Sequence, residues 1–106
     1  MVYHIIKKEY WKKFENSNIY FPAEYENEGF IHFSTKDQVA GVLERYYANE
    51  ENLVLLSINE DLLSAEMKFE KASNGELFPH LYGHLNQSAI VTKIMGNQKT
   101  LLESLD

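Results

Sequence analysis

Cysteine is absent from this chain. Disulfides, thiol nucleophiles and cysteine metal sites are therefore excluded, and a cytoplasmic location is expected. Positive charge is scarce too: ten Lys and Arg stand against sixteen Asp and Glu, for a net charge of −6. The basic residues are scattered. The counterion-displacing surface of a general nucleic-acid binder is thus not expected, although one local pocket can be positive on an acidic protein. No segment approaches the ~20 apolar residues of a membrane span, and the N-terminus carries no apolar run of signal length. Proline occurs only twice, at Pro22 and Pro79. Each reads as a break in regular structure.

What is present describes an ordinary globular chain. Hydrophobic residues make up 44% and charged residues 25% of 106 residues, enough for one domain with its own core, over residues 1–106. Val2 to Ile6 alternates as a strand, with His4 opposite Tyr3 and Ile5. Tyr10, Trp11 and Phe14 sit at helical spacing between Lys8 and Phe14, and residues 19–28 read as an irregular connection. Val39, Val42, Leu43, Tyr46 and Tyr47 form the stripe of a helix over 36–48 with one buried face. Leu53 to Ile58 is a nearly continuous apolar run, the pattern of a strand covered on both sides. Leu62-Leu63 makes one helical turn, Met67 to Glu70 alternates as a short strand, and Ala89 to Met95 is the last strand. A short helix is expected over 98–106, docked by Leu101, Leu102 and Leu105. The sum is an α+β domain of five or six strands with two or three helices.

Two stretches carry chemistry. In Gly29 to Thr35, alternation puts Phe30, His32 and Ser34 on one face of a strand and Ile31, Phe33 and Thr35 on the other. Thr35 and Gln38 then form a capping box at the helix start. A strand that delivers His and Ser to a helix N-terminus, with Lys36 beside it, suits a small anion such as a nucleotide phosphate. The other stretch, Phe78 to His84, sets His80, Tyr82 and His84 among Pro79 and Gly83 and reads as a functional loop. Glu70 is the one carboxylate on an expected strand with apolar neighbours, placed to orient a histidine or act as a base, or simply to face solvent. His4 fits a carbonyl-held strand histidine or a ligand contact, Trp11 a core residue or a stacking platform, and Tyr82 a donor or a plug at the core edge. His80 and His84 have the four-residue spacing of a His-Glu-x-x-His motif, but across Gly83 and downstream of Pro79 instead of on a helix, so no metal is expected. The two-histidine phosphodiesterase pattern is matched once, by His32-Phe33-Ser34, and missed at His80-Leu81-Tyr82.

Tyr3-His4-Ile5, Trp11, the run from Glu28 to Thr35 with Gln38, Leu53 to Leu56, Glu70 and Phe78 to Gly83 together resemble the bacterial family called domain of unknown function 952. The similarity spans roughly Tyr3 to Ile94. It implies a split, mostly antiparallel sheet like that of the ADP-ribosyltransferase group, which clasps NAD. By that resemblance His4 corresponds to the position that contacts an NAD ribose hydroxyl. His32 falls near the nicotinamide, and Glu70 or His80 supplies the third element. The implied activity is an NAD- or nucleotide-binding transferase or glycohydrolase, with catalytic His32, His80 and Glu70. Its cofactor contacts are His4, Ser34, Thr35, Tyr82 and Trp11, and a protein is one possible acceptor. The alternatives are a non-catalytic metabolite- or protein-binding module and a histidine-dependent phosphodiesterase. Gly83-His84-Leu85 departs from the Gly-Pro-Leu expected there.

One spatial expectation follows: His4, His32 and His80 converge on one cleft although far apart in sequence. If His32 serves function, His32→Ala leaves the urea midpoint nearly unchanged. An unfolded His32→Ala protein would make that histidine structural.

Overall fold

The computed structural model describes residues 1–105. Three antiparallel sheets carry eight strands. β1 (Val2–Lys7), β4 (Leu53–Ile58) and β8 (Ile90–Gly96) form a sheet with β4 in the middle. β3 (Ile31–His32), β6 (Leu77–Tyr82) and β5 (Glu66–Lys71) form a second with β6 in the middle, and β2 (Ile19–Tyr20) pairs with β7 (Leu85–Asn86). Among the described residues there are four α-helices, α1 (Lys8–Trp11), α2 (Tyr25–Glu28), α3 (Lys36–Tyr46) and α4 (Gln98–Glu103), and two 3-10 turns at Glu60–Leu62 and Gln87–Ala89. The α+β class and the antiparallel pairing match the expectation. The strand and helix counts exceed it.

β4 explains the layering. Leu53, Val54, Leu55, Leu56 and Ile58 are all fully buried. Val54, Leu56 and Ile58 turn toward one core, shared with Val2, Ile6, Trp11, Ile31, Phe33 and Leu81. Leu53 and Leu55 turn toward a second, shared with Ile5, Val39, Val42, Leu43, Phe78 and Leu101. A strand covered on both faces has no polar side to alternate with, hence its unbroken apolar run. α3 starts where the capping box predicts: Gln38 Oε1 accepts the Thr35 N–H at 3.0 Å, and Gln38 Nε2 donates to the Leu77 carbonyl at 2.8 Å.

Several boundaries need correction. The helix expected over 8–14 is the four residues of α1, followed by turns. Residues 19–28 are not irregular throughout, because they hold β2 and α2. None of α2 is buried, so no apolar stripe betrays it; Gly29, left-handed at φ 78°, ends it and redirects the chain into β3. The helix expected over 98–106 is α4, and Asp106 lies outside the described residues.

The largest correction concerns the expected loop at His80, which is the central strand β6. Pro79 is tolerated there for a geometric reason. Its carbonyl accepts from Phe33 N–H at 2.9 Å, so its missing N–H would point the same way, toward a β3 that has already ended at His32. The ladder to β5 therefore loses nothing. Gly83 follows at φ 151°, where a Cβ would lie 2.6 Å from Ala65 Cβ.

Leu55→Ala should cost about 2 to 5 kcal/mol, since a fully buried side chain leaves a cavity between two packed layers. Urea denaturation of the wild type and the variant measures it.

Candidate functional site

β1 and β3 run side by side for one step and then part. Tyr3 and Ser34 exchange backbone hydrogen bonds, each at 2.8 Å, as an isolated antiparallel bridge. Beyond it the carbonyl of His32 still faces β1 but has no backbone donor opposite. His4 supplies one from its side chain: Nδ1 lies 2.9 Å from the His32 carbonyl, and Nε2 lies 2.9 Å from the Tyr20 hydroxyl. A carbonyl can only accept, so Nδ1 carries the hydrogen, and the bare Nε2 accepts from Tyr20 O–H. Burial holds the imidazole neutral, with its pKa pushed down to about 4. The same burial raises the Tyr20 phenol.

The gap beyond the bridge is a cavity of about 630 Å³. Its walls include His4, Ile5 and Ile6 of β1, His32 and Ser34 at β3, Val42 of α3, and Tyr10, Tyr20, Pro22 and Glu24 from the segment between β1 and α2. The His32 ring makes no hydrogen bond to another protein group among the described residues. It is held neutral, its pKa lowered to about 4 by desolvation, then by His80 and Arg45 nearby. An unbonded, neutral imidazole on a cavity wall can accept from or donate to a ligand hydroxyl.

His32 also touches a second group of side chains. The pairing of His32 with His80 across β3 and β6 sets their ring centroids 5.3 Å apart. His80 Nδ1 is 2.9 Å from Glu70 Oε1, and Phe30 stacks on the His80 ring at 3.9 Å. The Tyr82 hydroxyl donates to the same Glu70 oxygen. These two hydrogen bonds, Tyr82 first and His80 second, hold the Glu70 carboxyl below its ordinary range, and Glu70 in turn raises the Tyr82 phenol. With Nδ1–H given to Glu70, Nε2 is the His80 ring nitrogen left for another partner. Glu70 is thus an orienting group for His80.

The expected convergence of the three histidines on one cleft is not realised: His4 and His32 share a cavity, while His80 meets only the His32 ring, at 5.3 Å between centroids. The cavity itself is lined by His4, His32 and Ser34, whereas Glu70, His80 and Tyr82 stand outside its walls on the outer face of the second sheet. Trp11 is fully buried in the core, so it is not a stacking platform. Thr35 and Lys36 do not line the cavity; Lys36 borders a separate groove between α3 and α4. The Thr35 N–H is already taken by Gln38, and Asp37 adds like charge for any anion. The helix start is therefore a cap, and the expected phosphate seat is not built there. His84 stands apart, edge-on to Phe21 at 6.1 Å.

The residues missed from sequence are Tyr20, Phe30, Tyr10, Tyr47 and the Glu24/Glu28 pair. Of these, Phe30 carried the clearest signal, sharing a strand face with His32 and Ser34, and Tyr20 stood two residues ahead of Pro22.

No helix among the described residues is long and apolar enough to cross a membrane. A family model described as "Protein of unknown function (DUF952)" matches residues 5–93. Among solved structures, the crystal structure of protein CC0527 from Caulobacter crescentus is similar with a TM-score of 0.81 and 27% identity, covering 89% of this chain and 83% of that one. A double mutant of CC0527 gives 0.80 at 26% identity with the same coverage. The solution NMR structure of CC0527 gives 0.75 at 28% identity, covering 87% and 80%. No curated protein matches.

Neutral His4 sets a pH dependence. Its pKa is depressed on folding, so the unfolded chain binds the extra proton between about pH 6.5 and 4, and stability falls as pH drops through that window. His4 alone should account for a loss on the order of 2 to 3 kcal/mol between about pH 7.5 and 4.5. His4→Gln should be less stable at the higher pH and show a smaller drop. Identical pH slopes for the two proteins in urea titrations would exclude His4 as the titrating group.

Proposed function

This chain belongs to the DUF952 family, and from that premise we propose that it binds an NAD-type nucleotide in the cavity between β1 and β3. There it acts as an ADP-ribosyltransferase-like transferase or glycohydrolase on the bond joining ribose to nicotinamide. One observation carries the reading: His4 and His32, matched through separate motifs to the ribose and nicotinamide positions, line the same cavity. Its volume of about 630 Å³ sits within the roughly 300–1,000 Å³ of small-molecule sites.

The residues divide the work by position. His32 and Ser34 offer hydrogen bonds to ribose hydroxyls, while Ile5, Ile6, Pro22 and Val42 supply apolar wall that limits water. The ribose–nitrogen bond breaks with its electron pair leaving on a neutral nicotinamide. The resulting oxocarbenium-like carbon is attacked by an acceptor oxygen, from water or a protein, whose proton passes by way of the His32 ring on the cavity wall to His80, its neighbour at 5.3 Å between centroids. Glu70 fixes the ring that takes that proton. Glu24 and Glu28, also on the cavity wall, face the positive charge as it develops.

A second reading, nucleotide capture without chemistry, is favoured by one feature. The oriented pair of Glu70 and His80 stands outside the cavity walls, away from a ligand held inside.

Thermal-shift titration with NAD and ADP-ribose, followed by chromatography for released nicotinamide, tests the proposal. Ligand at 100 times its dissociation constant should stabilise the fold by about 2.7 kcal/mol. His32→Ala should lose the shift. His80→Gln should keep the shift and lose nicotinamide release. Binding without release in the wild type would support capture, and no shift with any nucleotide would reject the nucleotide reading.

A further inference from the structure

The cavity wall has a one-sided chemistry. Half-buried Tyr10 and Tyr47 and 70% exposed Tyr46 present ring surface along it, with Tyr20 fully buried behind them and its hydroxyl bonded to His4. Two carboxylates, Glu24 and Glu28, complete the polar wall. Among the described residues Lys7 is the single Lys or Arg lining it, with its Nζ engaged by Glu50 at 3.2 Å; the other nearby cations already lie over its rings, Lys13 over Tyr10 and Arg45 over Tyr46. His4 and His32 add no positive charge, being neutral at physiological pH. The Glu24 carboxylate is close enough to help raise the phenols of Tyr10, Tyr20 and Tyr47, which places negative potential along that wall.

Electron-rich ring faces and carboxylates both attract cations, and apolar walls focus the field between them. A phosphate in the same space would meet two carboxylates, and the cations nearby are already engaged, Lys7 by Glu50 and Lys13 and Arg45 over the Tyr10 and Tyr46 rings. We propose that the cavity selects a cationic, ring-sized head group, a pyridinium or other quaternised nitrogen, over its neutral isostere. The inference rests on the proposed nucleotide reading for where the ligand sits. In that setting the pyridinium enters the cavity, the phosphates remain outside, and the oxidised dinucleotide is preferred to the reduced one, whose nicotinamide ring is uncharged.

Calorimetric titration with N-methylnicotinamide cation and with neutral nicotinamide tests the selection directly, beside parallel titrations with NAD⁺ and NADH. The cation should bind about tenfold more tightly than the neutral ring. The Glu24→Gln/Glu28→Gln double variant should abolish that preference; both side chains are exposed, so the fold survives. Equal binding of the charged and neutral rings, a preference untouched by the double variant, or no binding of the cation would overturn the proposal. The two readings separate cleanly. Cation binding with no response to NAD⁺, NADH or ADP-ribose keeps the charge selection and removes the nucleotide. Equal binding of NAD⁺ and NADH does the reverse.

Discussion

The structure turns on how the gap between β1 and β3 is closed. A sheet that continued from β1 into β3 would pair the His32 carbonyl with a backbone N–H and leave no room for a ligand. Instead pairing stops after the Tyr3–Ser34 bridge, and a buried imidazole takes over the unpaired carbonyl. An unsatisfied buried carbonyl costs about 1 to 3 kcal/mol, so the His4 side chain is what makes the split tolerable. Tyr20 then locks the ring from its other side and joins this spot to the aromatic cluster of Tyr10, Trp11 and Phe14. The cavity exists because a side chain replaces a ladder hydrogen bond.

The second sheet uses its two faces differently. Ile31, Phe33 and Leu81 pack inward against β4's neighbours. The alternate residues Phe30, His32, His80 and Tyr82, with Glu70 across from β5, gather on the opposite face. Strand periodicity thus separates the side chains that hold the sheet from those with chemistry to offer. His32 is the member that belongs to both the cavity wall and this outer cluster, and it couples a binding space to a base oriented by a carboxylate.

Electrostatics narrows the ligand further. An acidic protein with net charge −6 repels a long polyanion, and the cavity wall repeats that sign locally through Glu24 and Glu28. The helix start of α3, the obvious place for an anion, is spent on its own capping box. What these surroundings favour is a small molecule whose buried end is positive, with any phosphates left in solvent.

Local pattern alone determined the elements whose burial is periodic. The unbroken run of β4, the cap of α3 with its buried Val39, Val42 and Leu43, and the two-faced reading of Gly29 to Thr35 follow from which side chains must leave water, whereas Phe69 of β5 and Tyr46 of α3, expected inside, stay exposed. Exclusions such as thiol chemistry followed from composition. Tertiary structure decided everything that depends on partners distant in the chain. Pro79 marks a break by its own chemistry, yet β3 ends opposite it, and the stretch becomes a central strand. Trp11 was ambiguous until α1 pressed it into the core. Thr35 and Lys36 held the right chemistry, but the direction of α3 turned Lys36 toward another groove. The pairing of His4 with Tyr20, and of Glu70 with both His80 and Tyr82, joins residues whose spacing in sequence carries no period. Such contacts are set by how sheets dock and where strands part, and local hydrophobic periodicity records only which face of an element is buried.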